Sequence, residues 1–361
     1  MKFTIIGAGN GGQSMAAHLT SIEQDVILYD VQTDLIAAIN ERGGIKAEGV
    51  VEGFFASVEA TTDLEKAMKD TDVIMVTTTG PAHKHVAKAI VPFLQDEQTI
   101  MILPGYWGAL EFRNVFKEAG CEKNVYVAET ESLIYTCRSI EPGYVRIRKI
   151  KEGLEFATLP AVDGEKVKSQ LMDVYPQLKL TDSVLTTTLN NTNPVFHVPI
   201  TLFNAGRIEA EGDFYFYPDG ATPSIVQIME KLEEEKRQIA EKLQIDLATC
   251  QVLLARFYQV EEKSLYEALQ KNPAYQTGKA PTTLNYRYIY EDIPYGLYPL
   301  VKLGEQLGVE MKTSKLLIET AELLVDKDLQ KDGLELSDLG LADMSGDEMK
   351  QYLIEGVKQG V

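Results

Sequence analysis

The chain has 361 residues, 45% of them hydrophobic and 25% charged, with a formal net charge of −19. That length suits two domains with a core in each. A surface this acidic disfavours nucleic acid and anionic membranes, because a phosphate backbone needs basic side chains to replace its counterions, so small molecules are the expected partners.

The cysteines Cys121, Cys137 and Cys250 are far apart and odd in number, which argues against a disulfide framework and fits a reducing cytoplasm. Neither a signal peptide nor a membrane-spanning run of about 18 apolar residues is expected. No metal is expected either.

The N-terminal part alternates strands and helices. Apolar runs at Phe3–Ile6, Asp25–Asp30, Asp72–Thr78, Thr99–Pro104 and Asn124–Glu129 read as buried parallel strands. Segments such as "QSMAAHLTSI" and "PAHKHVAKAIVPFL" have helical period, and the alternation implies βαβ units. Further strands are expected at "GYVRIRKI" and Leu154–Pro160, then a helix at "GEKVKSQLMDVY". From about Thr186 helical patterns dominate to the end, where Ser345 and Glu348 have capping-box spacing. The expectation is an α/β fold: a Rossmann-type parallel-sheet domain over 1–185, then an all-helical domain over 186–361, with a cleft between them. The charged run Glu233–Arg237 reads as a solvated helix face, and His83 and His85 as helix-surface histidines.

"IIGAGNGG" supplies Gly7, Gly9 and Gly12 directly after a strand and at the start of a helix. Gly7 permits the tight turn, Gly9 lets backbone at Asn10 approach a pyrophosphate, and Gly12 lets helix and strand pack closely. Asp30 ends the second strand, 18 residues beyond Gly12, where a carboxylate accepts from a ribose hydroxyl. No Arg or Lys follows it in "VQTD", which favours NAD over NADP. Pro104 and Gly105, at a strand end, are placed near the nicotinamide.

"NNTNPVFHVPITLFNAGRIE" reads as one helix from Asn190, kinked at Pro194 and Pro199. Asn190, Asn193, His197, Thr201 and Asn204 fall on one face, with Val195, Val198 and Leu202 opposite. A surface helix has the same periodicity. However, amides, a hydroxyl and a single imidazole suit a half-buried cleft wall better than water, and a histidine there is a natural acid–base group. In "NYRYIYEDIPYGL", Arg287 offers a carboxylate clamp. From spacing alone Asp292 is open between a partner for His197, a helix cap and a partner for Arg287.

With "AINERGGIKAEG", "ETESLIYTCRS", "NNTNPVFH", "LFNAGRIE" and "RYIYEDIPYGL", the chain resembles the opine dehydrogenase family of octopine/nopaline type, its bacterial members in particular. The resemblance runs from "IIGAGNGG" to about "LSDLGL" and implies a helical domain of the 6-phosphogluconate-dehydrogenase type. It also implies reductive condensation of an L-amino acid with a 2-oxo acid by NADH. In that chemistry His197 is the proton shuttle, Asp292 its orienting carboxylate, Arg287 a carboxylate anchor, and Asn193 with its neighbours a support for substrate and cofactor amide. Cys137 and Arg138 are candidates to line the substrate pocket, a structural salt bridge being the other reading of Arg138. The "His-Val-Pro" of His197–Pro199, in place of His-Pro, shifts the expected kink. The family leaves a homodimer open.

Two other readings stand beside this one. Reductases of the 2-dehydropantoate or glycerol-3-phosphate dehydrogenase type use a lysine on the corresponding helices, and residues 186–209 contain none. A cofactor-binding sensor without turnover is the third, against which the presence of His197, Arg287 and Asp292 argues.

Overall fold

The computed structural model describes residues 1–356; the last five residues of the expected helical domain, 357–361, lie outside the described residues. The chain forms two compact units, residues 1–187 with 354–356, and residues 188–353.

The first unit is built on an eight-stranded sheet. Its strand order is Lys179–Leu180, Glu155–Leu159, Tyr126–Thr130, Thr99–Ile102, Val73–Val76, Lys2–Ile6, Asp25–Tyr29, Glu59–Thr61. All neighbours are parallel except Glu155–Leu159 against Tyr126–Thr130. Central strands such as Val73–Val76 are buried throughout. That explains why they read as unbroken apolar runs rather than alternations.

A second sheet, in the order Gly53–Phe55, Ile45–Gly49, Tyr144–Ile150, Tyr135–Glu141, was expected only at "GYVRIRKI". It is tied to the Asn10–Ser21 helix: Asn10 Oδ1 accepts from Ser139 N at 2.9 Å and Gln13 Oε1 from Gly143 N at 2.9 Å.

The second unit is helical, and two expectations fail there. The single kinked helix is instead three helices, Val184–Asn190, Asn193–Phe203 and Ala205–Glu209. Asn191 Oδ1 accepts from Asn193 N at 3.0 Å, an Asx turn that competes with helix continuation. Pro194 therefore sits in the first turn of the middle helix, where its missing N–H costs nothing, and only Pro199 is internal. This helix is also buried on both faces: Thr201 and Val198 are each 0% exposed. It is a core helix carrying polar groups, not a half-buried wall.

The charged run is a solvated face only in part: Glu234 and Arg237 are exposed and pair with each other. Glu235 and Lys236 are buried within the Pro223–Leu243 helix. Glu235 accepts from Ser314 N at 3.0 Å and Ser314 Oγ at 2.6 Å, capping the Lys312–Val325 helix. Lys236 Nζ donates to Asn191 O at 3.1 Å, bracing the turn into Asn193–Phe203. The capping box is present: Ser345 N donates to Glu348 Oε2 at 2.7 Å before the Gly346–Glu355 helix.

Candidate active site

In the first unit the Lys2–Ile6 strand turns through Gly7, at φ +105, a left-handed conformation that other residues adopt only with strain. A Cβ on Gly12 would lie 1.8 Å from Gly7 O, so this helix–strand approach tolerates glycine alone. A Cβ on Gly9 would meet nothing within 4 Å. That open space faces the first turn of the Asn10–Ser21 helix, as a phosphate cradle requires.

Asp30 Oδ2 accepts from Ala8 N at 2.6 Å and Oδ1 from Gln32 N at 3.0 Å. Those bonds fix the carboxylate at the strand end, and its remaining lone pairs suit ribose hydroxyls. Beside it lies a cleft of about 240 Å³, lined by Val31, Leu64, Val86 and Ala89, apolar side chains that could bed an adenine ring. His85, exposed as expected, is at its rim. His83 is not a surface residue: it is 0% exposed, and burial pushes its pKa down to about 4.

Pro104 and Gly105 follow the Thr99–Ile102 strand. A Cβ on Gly105 would lie 2.4 Å from the buried Glu129 carboxyl carbon. Glu129 Oε2 accepts from Ala109 N at 2.9 Å and Oε1 from Thr187 Oγ1 at 2.7 Å, so this carboxylate holds the loop. Cys137 and Arg138 lie on the second sheet. Cys137 Sγ donates to Asn10 O at 3.4 Å, next to the glycine turn, and burial raises its thiol pKa. Arg138 is exposed and makes no ion pair among the described residues.

In the second unit the structure brings His197 and Asp292 together across 95 residues of sequence. His197 Nδ1 is 2.8 Å from Asp292 Oδ2, with Asp292 0% and His197 5% exposed. Asp292 is presented by an unusual backbone. The Arg287–Tyr290 helix opens into a wide turn over Ile293–Leu297, where Leu297 N donates to Asp292 O, five residues back, at 2.9 Å. Arg287, on the same segment, pairs with Glu291 at 3.2 Å while 40% of its side chain remains exposed. Asn193 is half-buried in the first turn of the His197 helix.

The aromatic cage around His197 was missed by sequence reasoning. Tyr288 stacks on the imidazole at 4.0 Å and 28°. Tyr217 Oη lies 3.1 Å from Nε2, and Tyr275 stacks on the Tyr217 ring at 3.9 Å and 15°. The tyrosines of "FYFYPDG" and "NPAY" were the available signal, without a partner to attach them to.

A doubly wound sheet with an intact dinucleotide turn and a helical unit holding a His–Asp pair define an NAD-dependent oxidoreductase. The profile of the "NAD/NADP octopine/nopaline dehydrogenase, alpha-helical domain" matches residues 180–325. That of the "NAD-dependent glycerol-3-phosphate dehydrogenase N-terminus" matches residues 2–106. An opine dehydrogenase of Arthrobacter sp. (strain 1C) is 35% identical over 95% of this chain and 96% of its own length. A vitopine synthase of Allorhizobium ampelinum is 25% identical over 94% and 95%. The solved structure of an octopine dehydrogenase with NADH and agmatine superposes with a TM-score of 0.78 at 20% identity, covering 100% and 99% of the two chains. The chain belongs to the opine dehydrogenase family, oxidoreductases that act on CH–NH donors.

Proposed function

We propose that this chain joins an L-amino acid to a 2-oxo acid, such as pyruvate, to form an N-(1-carboxyalkyl)amino acid, and runs the reverse oxidation. The carrying observation is the buried His197–Asp292 pair, at 2.8 Å. Imine formation is proton traffic between nitrogen and oxygen, and a histidine held by a carboxylate handles both directions near neutrality. Asp292 accepts Nδ1–H, which fixes the ring and leaves Nε2 as the working nitrogen. The carboxylate then steadies the imidazolium when Nε2 is protonated.

Arg287 anchors a substrate carboxylate. Asn193, Cys137 and Arg138 are further substrate contacts. Gly7, Gly9, Asn10, Gly12 and Asp30, with Pro104 and Gly105 at the nicotinamide, hold the cofactor, and the acid without a following cation favours NAD. When bound, NADH supplies the hydride that reduces the imine. We assign the cofactor to residues 1–185 and substrate handling to 186–361.

Among the described residues no helix is long and apolar enough to cross a membrane. With three free cysteines and an acidic surface, we place the protein in the cytoplasm, acting on small molecules, with a homodimer open to test by light scattering.

A matrix of L-amino acids against 2-oxo acids, followed by NADH absorbance, tests the reading. Oxidation that needs both partners is expected. Oxidation with an oxo acid alone would turn the assignment to a 2-hydroxy-acid dehydrogenase.

A further inference from the structure

His197 has one basic nitrogen to offer. Asp292 as a carboxylate only accepts, so the 2.8 Å contact puts hydrogen on Nδ1 and leaves one in-plane lone pair on Nε2. The Tyr217 hydroxyl, 3.1 Å away, donates to it. Burial first, then the neighbouring Tyr288, Tyr258 and Asp292, hold this phenol well above its ordinary pKa, so it stays protonated.

A ring nitrogen accepts one good hydrogen bond. A substrate proton bound for Nε2 must therefore displace Tyr217 or pass through it. Displacement is resisted. The Tyr217 ring lies flat on Tyr275 and edge-on to Phe216 at 5.1 Å. The backbone before it is tied down, Phe216 N to Gly278 O at 2.8 Å and Ala280 N to Phe214 O at 3.0 Å, and its own carbonyl accepts from Ala221 N at 3.0 Å.

We propose that Tyr217 is the third member of the catalytic group, a relay whose hydroxyl carries protons between the substrate and His197 Nε2. The proposal rests on the condensation reading above. Each transfer is an exchange: Tyr217 Oη takes a substrate proton as its own passes to Nε2, and the phenol ends neutral. Two protons leave the amino acid's ammonium by this path, one before and one after its nitrogen adds to the carbonyl carbon. Two return to the former carbonyl oxygen. The C–O bond breaks, water leaves, and the nitrogen lone pair closes the C=N bond. The product is the iminium, total charge is conserved, and the dyad finishes as it began.

Tyr217→Phe keeps the stack and removes only the oxygen. We expect kcat to fall about 10²-fold or more, the scale of a lost acid–base group, with NADH affinity and thermal midpoint unchanged. The His197 ring, followed by NMR titration, should titrate at higher pH in the variant, because the donor that favours neutral Nε2 is gone. Rates in mixed light and heavy water should curve with deuterium fraction in the wild type and run straight in the variant. Wild-type kcat in Tyr217→Phe would overturn the relay and leave the condensation reading standing. If the wild-type protein turns over no pair of substrates, that reading fails. The relay then falls with it, whereas an unmoved His197 in a protein that does turn over overturns the relay alone.

Discussion

His83 in the first unit and His197 in the second are both buried, and their surroundings are opposites. His83 lies edge-on to Phe112 at 6.0 Å, and burial holds it neutral. His197 has a carboxylate at 2.8 Å on one nitrogen and a hydroxyl at 3.1 Å on the other. Burial alone strips a proton from an imidazole, while a carboxylate beside it favours the charged ring. We therefore assign one histidine to packing and propose the other for chemistry, although neither their residue type nor their exposure separates them.

The largest effect that bears on this contrast is His197→Ala, which should lower kcat about 10²- to 10⁴-fold while NADH affinity, read by fluorescence titration, stays unchanged. Loss of cofactor binding in parallel would make His197 structural, like His83. Next, Arg287→Gln should raise the KM for one substrate carboxylate about ten- to a hundredfold, the value of a charge-assisted pair, with little change in NADH affinity. An equal loss in both would move Arg287 out of the substrate site.

His83 supplies the third test. Its folded pKa, about 4, is below the unfolded value near 6.5, so the unfolded chain binds the extra proton in that window. Its contribution is present above about pH 6.5 and is lost as pH falls toward about 4. Between pH 7 and 5 this amounts to about 2 kcal/mol. His83→Phe should flatten the pH dependence of denaturant midpoints across that range, and a curve parallel to wild type would show that the burial cost lies elsewhere. The smallest effect is Gly9→Ala. Its methyl meets no protein atom, so the melting temperature should hold while NADH binds about tenfold more weakly, about 1.4 kcal/mol. Unchanged NADH binding would remove Gly9 from the cradle.

The two units were also unequally legible in the sequence. The glycine turn and Asp30 work through backbone and short spacing, so a local motif reports them. The His197 site draws on Asn193–Phe203, Tyr217, Tyr275 and the Arg287–Asp292 segment, and spacing gave only candidates until the resemblance paired His197 with Asp292. The cage could not be read because stacking between Tyr217 and Tyr275 leaves no periodic trace. Glu235 and Lys236 misled for a related reason. A charge run signals water unless a helix end and a bent backbone elsewhere in the chain need exactly one cap each. His83 misled in the same way, since a helix-period pattern does not report which neighbour covers a polar position.

Glu235 and Lys236 also set a rule for chain length. As adjacent residues they point about 100° apart around their helix, one toward Ser314 and the other toward Asn191. Inserting one residue upstream within the helix would rotate both away from their partners at once. Homologous chains should therefore keep a constant count from Pro223 to Lys236, while insertions and deletions collect in the Gln259–Lys263 connection, where no helix register is at stake.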